Sequence, residues 1–343
     1  MKMSKWATLA LVAAVLLLIQ WKGAHPAFAE RLMNVWSHKK PLGGRELIAD
    51  PDFKAGFLAI RACRNPDGDF LCAKASRYQL KSPDRPDMAD VKPVWELAQW
   101  GSRSNLGGGG RFDGGYGWST PDKRLVVYPD GRVELAVSGD SELGGKYNSN
   151  RAALPNLILQ QTIAAPGTYG RHIPSLDRMQ RLTFNLDFRR VYDDPNKKPG
   201  YDTSRHAIIF PVNFTIQNLN RRSPGYGEYV WLQISTYDDR YALQTSERDR
   251  TQIDLGTKRL IYFIPPSKLS NRSTHLGEWV QFHGDILPYA RRAIEIASKK
   301  GFLRSVRLSD YKVGGVNIGY ELTGLNISTF QFRRLSLKAS TDD

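Results

Sequence analysis

Three carboxylic side chains lie on segments that alternate polar and apolar residues: Asp187 in "RLTFNLDFRR", Asp239 closing "YVWLQISTYDD", and Glu321 in "GVNIGYELTG". Two carboxyl groups facing each other across a glycosidic bond, about 5 to 9 Å apart, are the minimum equipment for hydrolysing it. The same alternation places other polar groups beside them. Asn185 and Arg189 accompany Asp187, "PVNFTIQN" adds Asn213 and Gln217, the 229–239 segment adds Trp231, Gln233 and Tyr237, and Asn317 precedes Glu321. Successive strand side chains point to opposite faces, so each segment separates into an apolar row and a polar row. Amides offer donors and acceptors to hydroxyl groups, and aromatic rings pack on the C–H face of a pyranose. If these strands are neighbours, their polar rows merge into one glycan-binding cleft with Glu321 and either Asp187 or Asp239 as catalytic carboxyls. Binding alone would need only neutral amides there.

Such a cleft needs a sheet to carry it, and the chain is rich in candidates. Period-two segments occur at 123–139, 181–192, 206–220, 228–237, 258–265, 278–285, 314–324 and 326–339, the first folded back at Pro129-Asp130-Gly131. One segment has helical spacing: in 285–301, Ile286, Leu287, Ala290, Ala293, Ile294 and Ala297 form a stripe, Asp285 stands at the cap, and Gly301 follows the end. The expectation is an all-β chain, a jelly-roll-type antiparallel β-sandwich with one packed α-helix. The glycine-rich 101–119 reads as a flexible loop near a binding surface with Tyr116 and Trp118 as aromatic tips, while 193–204 and 220–228 read as strand connectors. "YDDRY" (237–241) reads as a strand-ending turn in which Asp238 pairs with Arg240.

With its opening "DPDFKAGF" (50–57) and closing strand "STFQFRRLSLKA", the chain resembles secreted concanavalin-type and carbohydrate-binding jelly rolls. That resemblance implies a concave sheet that binds oligosaccharide and that in some members carries catalytic residues. Jelly-roll hydrolases often carry both acids on one strand as Glu-x-Asp-x-Glu, and no such pattern occurs here. "YKVGG" (311–315) and "LQIS" (232–235) are similar to strands of jelly-roll alginate lyases, with Ser235 standing where those have histidine. A glycoside hydrolase acting on a polysaccharide is therefore preferred. A non-catalytic carbohydrate-binding module, a polysaccharide lyase on an anionic polymer and an envelope interaction protein remain as alternatives.

The first 29 residues carry Lys2 and Lys5, an apolar run from Ala7 to Ile19, and "AFA" ending at Ala29. That is the pattern of a signal peptide, and the run is shorter than the about 18 to 20 residues of a membrane span. The expectation is an exported protein, periplasmic or extracellular, with 30–343 as a single domain whose 30–95 form an N-terminal extension and first strands. Three of the 49 basic residues and none of the 34 acidic ones lie before residue 30, which leaves the remainder at +12. In an exported chain this excludes nucleic acid as the expected partner and suits a glycan, including an anionic one. Cys63 and Cys72 bracket an Asn-Pro-Asp-Gly turn, the pattern of a disulfide-stapled hairpin. Asn65, Asp67 and Asp69 have the alternate spacing of a calcium loop, but Gly68 comes too early and Ser76 holds the twelfth position. A structural calcium stays open and no other cofactor is expected. The histidines after residue 30 (His38, His172, His206, His275, His283) show no paired metal spacing, and no Gly-x-Ser-x-Gly elbow occurs. Oligomeric state is not legible.

Overall fold

The computed structural model describes residues 44–63, 75–81, 91–147, 154–242 and 249–341. The leader segment, Cys72, Asn65, Asp67, Asp69 and His38 lie outside them.

Strands β1 (Arg45–Glu46), β2 (Phe57–Ile60), β3 (Arg77–Leu80), β4 (Trp95–Ala98), β5 (Gly110–Phe112) and β6 (Gly115–Ser119) come first. Then follow β7 (Lys123–Val127), β8 (Val133–Ser138), helix α1 (Gly139–Leu143), β9 (Asn156–Thr162), β10 (Met179–Asp194), β11 (Ile208–Asn218) and β12 (Tyr229–Asp238). The chain ends with β13 (Arg250–Ile253), β14 (Leu260–Ile264), β15 (Val280–Asp285), helix α2 (Leu287–Lys299), β16 (Tyr311–Leu322) and β17 (Ile327–Thr341). They form two sheets. One has the order β15-β10-β17-β8-β7-β6-β5, with β1 on the end of β17; the other has the order β13-β14-β12-β11-β16-β9-β4-β2-β3. Neighbours are antiparallel except β12 with β14 and β2 with β4, which run parallel.

The apolar rows face inward, as the alternation requires. Phe184, Phe188 and Phe330 of the eight-stranded sheet meet Phe210 and Phe214 of the nine-stranded one, with ring centroids 4.9 to 5.7 Å apart. All five rings are fully buried, each contributing on the order of 2 to 3 kcal/mol of burial. Helix α2 packs Leu287, Ala290, Ala293, Ile294 and Ala297 inward against β12, β14 and β10. Asp285 fixes its start by accepting the N–H of Leu287 and, from β10, that of Leu182, both at 3.0 Å. Asp285→Ala should therefore cost about 1 to 2 kcal/mol, read as a lower urea midpoint at unchanged m-value.

The 101–119 segment corrects the loop expectation. It contains the β5–β6 hairpin at the edge of the eight-stranded sheet, and Trp118 is buried, its ring 5.8 Å from Phe57 and 5.3 Å from Tyr116. Its glycines serve close packing: a Cβ on Gly117 would lie 2.2 Å from the Leu125 carbonyl oxygen.

Candidate active site

The outer face of the nine-stranded sheet floors an open cleft of about 1480 Å³. Strand register sets its polar floor. Glu96 of β4, Gln160 of β9, Asn317 of β16, Asn213 of β11 and Gln233 of β12 are successive lateral partners. Four of these are amides on four adjacent strands, a ladder about 14 Å long at the spacing of one strand per step. Glu96 is tied to Arg77 at 2.8 Å and to Gln160 at 2.9 Å. Asn213 Oδ1, by contrast, is buried and accepts no hydrogen bond from the described residues.

A second lateral row crosses the same face four residues along β9, β16 and β11 and five along β12: Asn156, Glu321, Ile209 and Asp238. Between the rows lie Ile158 and Gly319, where a Cβ on Gly319 would come within 2.0 Å of the Leu157 carbonyl oxygen. Glycine is required there by the close approach of β9.

Glu321 is half-buried and receives no hydrogen bond or ion pair from the described residues. Burial pushes its carboxyl up to about 7, and the negative charge of Asp254 adds to the shift. Asp254 belongs to the 250–257 wall of the cleft, where one of its oxygens accepts the backbone N–H of Thr257 at 2.6 Å and also the Thr257 hydroxyl. Thr257 Oγ1 in turn accepts the indole N–H of Trp231 at 3.1 Å, which fixes that ring at the cleft. Asp238 also lines the cleft, but both its oxygens are held by Arg240 at 2.8 Å, the pairing expected for this turn.

The structure thus gathers Asn213, Gln217, Trp231, Gln233, Asn317 and Glu321 in one cleft, and it separates the other expected site residues from them. Asn185, Asp187 and Arg189 stand on the outer face of the opposite sheet, because β10 belongs there. Asp187 is buried beneath Arg333, at 3.1 Å, and Arg334. Tyr237 points into the sandwich, since Phe210 pairs with Tyr237 but Pro211 with Ser235, leaving Thr236 as an extra residue that reverses the faces. Its ring lies 5.2 Å from Phe330 and its hydroxyl donates to Asp193 at 2.8 Å. Asp239 consequently leaves the cleft. It accepts from Asn326 at 3.0 Å, and burial, with Asp193 and Asp238 nearby, raises it to about 6.

Sequence reasoning missed Gln160, Asp254 and the Trp100 edge of the cleft. Asp254 sits in a short turn with no alternation to betray it. Gln160 lies in "NLILQQT", whose Leu157–Leu159 pair is the inward row of β9.

No family model matches the sequence and no curated relative does. Among solved structures the chain is similar to the endoglucanase cel12A from Rhodothermus marinus, at 11% identity over 69% of this chain and 100% of that one, with a TM-score of 0.36. It is also similar to a family 12 xyloglucanase from Bacillus licheniformis, at 10% identity, 69% and 99% coverage and a TM-score of 0.39. The xyloglucanase domain of the effector NopAA from Sinorhizobium fredii, in complex with cellobiose, matches at 12% identity, 71% and 98% coverage and a TM-score of 0.33.

Proposed function

We propose that this protein is an exported glycoside hydrolase that binds a polysaccharide across the strands of the nine-stranded sheet and cleaves it beside Glu321. The single observation that carries the reading is a carboxyl raised to about 7, without a hydrogen-bond partner among the described residues, on a cleft floor that also carries a four-strand ladder of amides. A structural carboxylate would be paired, as Asp187 and Asp238 are. The orphaned Asn213 Oδ1 supplies an acceptor for a substrate hydroxyl, since a buried carbonyl oxygen left unsatisfied costs about 1 to 3 kcal/mol until a donor meets it.

In this reading Glu321 enters protonated and gives its proton to the glycosidic oxygen as the bond from that oxygen to the anomeric carbon breaks. Asp254, the carboxylate whose charge reaches Glu321, accepts a proton from the water that attacks the anomeric carbon. The cycle leaves Glu321 ionised and Asp254 protonated, and exchange with solvent restores both.

The test is a panel of soluble polysaccharides assayed for new reducing ends, with a glycan array run in parallel. Release of reducing ends from at least one polymer supports hydrolysis. Array binding without release would leave a binding module, and products carrying a C4–C5 double bond would indicate elimination. Trp231→Ala should weaken oligosaccharide affinity by about 1 kcal/mol, roughly fivefold in Kd by titration calorimetry; an unchanged Kd removes Trp231 as a stacking platform.

A further inference from the structure

The outer face of the eight-stranded sheet carries a second polar surface that the cleft does not use. Arg189 of β10, Arg333 and Arg334 of β17, Arg132 at the entry to β8 and Arg124 of β7 lie on four neighbouring strands. Their counter-charges sit underneath them. Asp187 and Glu134 are buried, with side chains 3% and 8% exposed, whereas Arg124, Arg333 and Arg334 are 41%, 37% and 59% exposed. Asp130 approaches Arg132 to 3.7 Å at the rim. Solvent therefore meets guanidinium groups, with the carboxylates serving as their anchors.

The side chains are held in place. Gln331 Oε1 accepts from Arg189 at 2.7 and 3.0 Å and from Arg132 at 3.3 Å, and Gln331 Nε2 donates to Glu134 at 2.7 Å. Trp279 lies under two guanidinium groups, Arg189 at 4.9 Å and Arg333 at 4.4 Å from its ring. The crowding is strong enough that burial and the charges of Arg132 and Arg333 depress the Arg189 pKa. Three carboxylates, Asp187, Glu134 and Asp130, stand against these five arginines, so the cluster keeps a net charge of +2.

We infer that this face binds a carboxylated polysaccharide, a uronate polymer lying across the strands. Guanidinium N–H groups not taken up by Gln331, Asp187 and Glu134 can donate to carboxylates, and these five arginines outnumber the three carboxylates beneath and beside them, which suits a chain that bears one carboxylate per sugar. Two rival polyanions fit less well. The rings of Trp279, Tyr128 and Phe112 are already covered by Arg189 and Arg333, by Arg132 and by Arg124, so this array offers no open ring for stacking a nucleobase. Guanidinium groups pinned flat to a sheet also present no apolar wedge for insertion between lipids. The inference does not depend on the activity of the cleft.

The experiment is affinity electrophoresis and titration of the purified protein with polygalacturonate at low and high salt. A double variant, Arg132→Gln with Arg334→Gln, should raise Kd at least about tenfold while melting as the parent does and keeping the cleft activity. Arg334→Gln alone, at a side chain 59% exposed, should give a smaller rise and does not put folding at stake. Unchanged binding in these variants overturns the inference, as does loss of polygalacturonate binding on Asn213→Ala, which would place the polymer in the cleft. Equal retention of duplex DNA or of phosphatidylglycerol vesicles would also overturn it, because the face would then recognise charge alone.

Discussion

Glu321→Gln is expected to lower kcat on any polysaccharide the protein cleaves by roughly 10² to 10⁴-fold, the usual contribution of a positioned general acid, with little change in KM. Glutamine keeps the shape and polarity of the side chain and removes only its proton. The pH profile gives an independent check. An acid raised to about 7 is protonated below that pH, so the alkaline limb of kcat/KM should fall near 7. Asp254→Asn removes the negative charge that contributes to the shift, and should move this limb to lower pH while slowing turnover. A limb that stays in place would separate Asp254 from Glu321. On Glu321→Gln substitution at high pH, stability should change in the opposite sense to activity. Between the ordinary carboxyl pKa of 4.5 and about 7 the unfolded chain loses the Glu321 proton and the folded chain retains it, so stability falls as pH rises through this window. Above it, the parent carries a penalty of up to about 3 kcal/mol that Glu321→Gln does not, and the variant should melt higher than the parent at pH 8 yet alike at pH 4. Loss of activity together with loss of stability at pH 8 would mark Glu321 as a structural residue instead.

The long strands were legible because their alternation is regular. Leu182, Phe184, Leu186 and Phe188, or Val212, Phe214 and Ile216, name their own faces, and every one of them is fully buried. What alternation within one strand does not contain is which sheet the strand joins. The polar row of β10 looks like that of β11 in composition, yet the two strands lie in opposite sheets, so Asp187 and Arg189 back the sandwich while Asn213 faces the cleft. The error at Tyr237 and Asp239 had a visible warning. Pro211 sits in mid-strand where it cannot donate a ladder hydrogen bond, and proline in a sheet favours bulges; the bulge opposite it carries Tyr237 inward and sets Asp238 on the cleft. The glycine-rich 101–119 segment misled for a related reason: its glycines permit close strand approach at Gly117 as readily as they permit disorder.

Glu142→Ala should destabilise the fold by about 3 to 5 kcal/mol, more than Asp285→Ala. Lys123 and Glu142 form an ion pair at 3.2 Å with side chains 0% and 1% exposed, and the lysine ammonium also donates to the Ser104 carbonyl at 2.5 Å and to the Ser102 hydroxyl. Glu142 further accepts the Ser102 hydroxyl at 2.5 Å and the Arg103 backbone N–H at 2.9 Å. Truncating it strands a buried ammonium and two further donors together, and the cost of an unpaired buried charge exceeds what the intact pair contributes. The double variant Lys123→Met with Glu142→Leu removes both charges, so it should be far more stable than the sum of the singles predicts, and a thermodynamic cycle from urea midpoints measures the difference. The consequence reaches the cleft through the chain itself. Glu142 holds Ser102 and Arg103, the residues that directly follow the cleft-lining Trp100 and Gly101. Glu142→Ala should therefore weaken glycan binding even at temperatures where the sandwich stays folded, and the charge-free double variant should restore folding more fully than it restores affinity, because it recovers the buried packing without the hydrogen bonds that fix that edge.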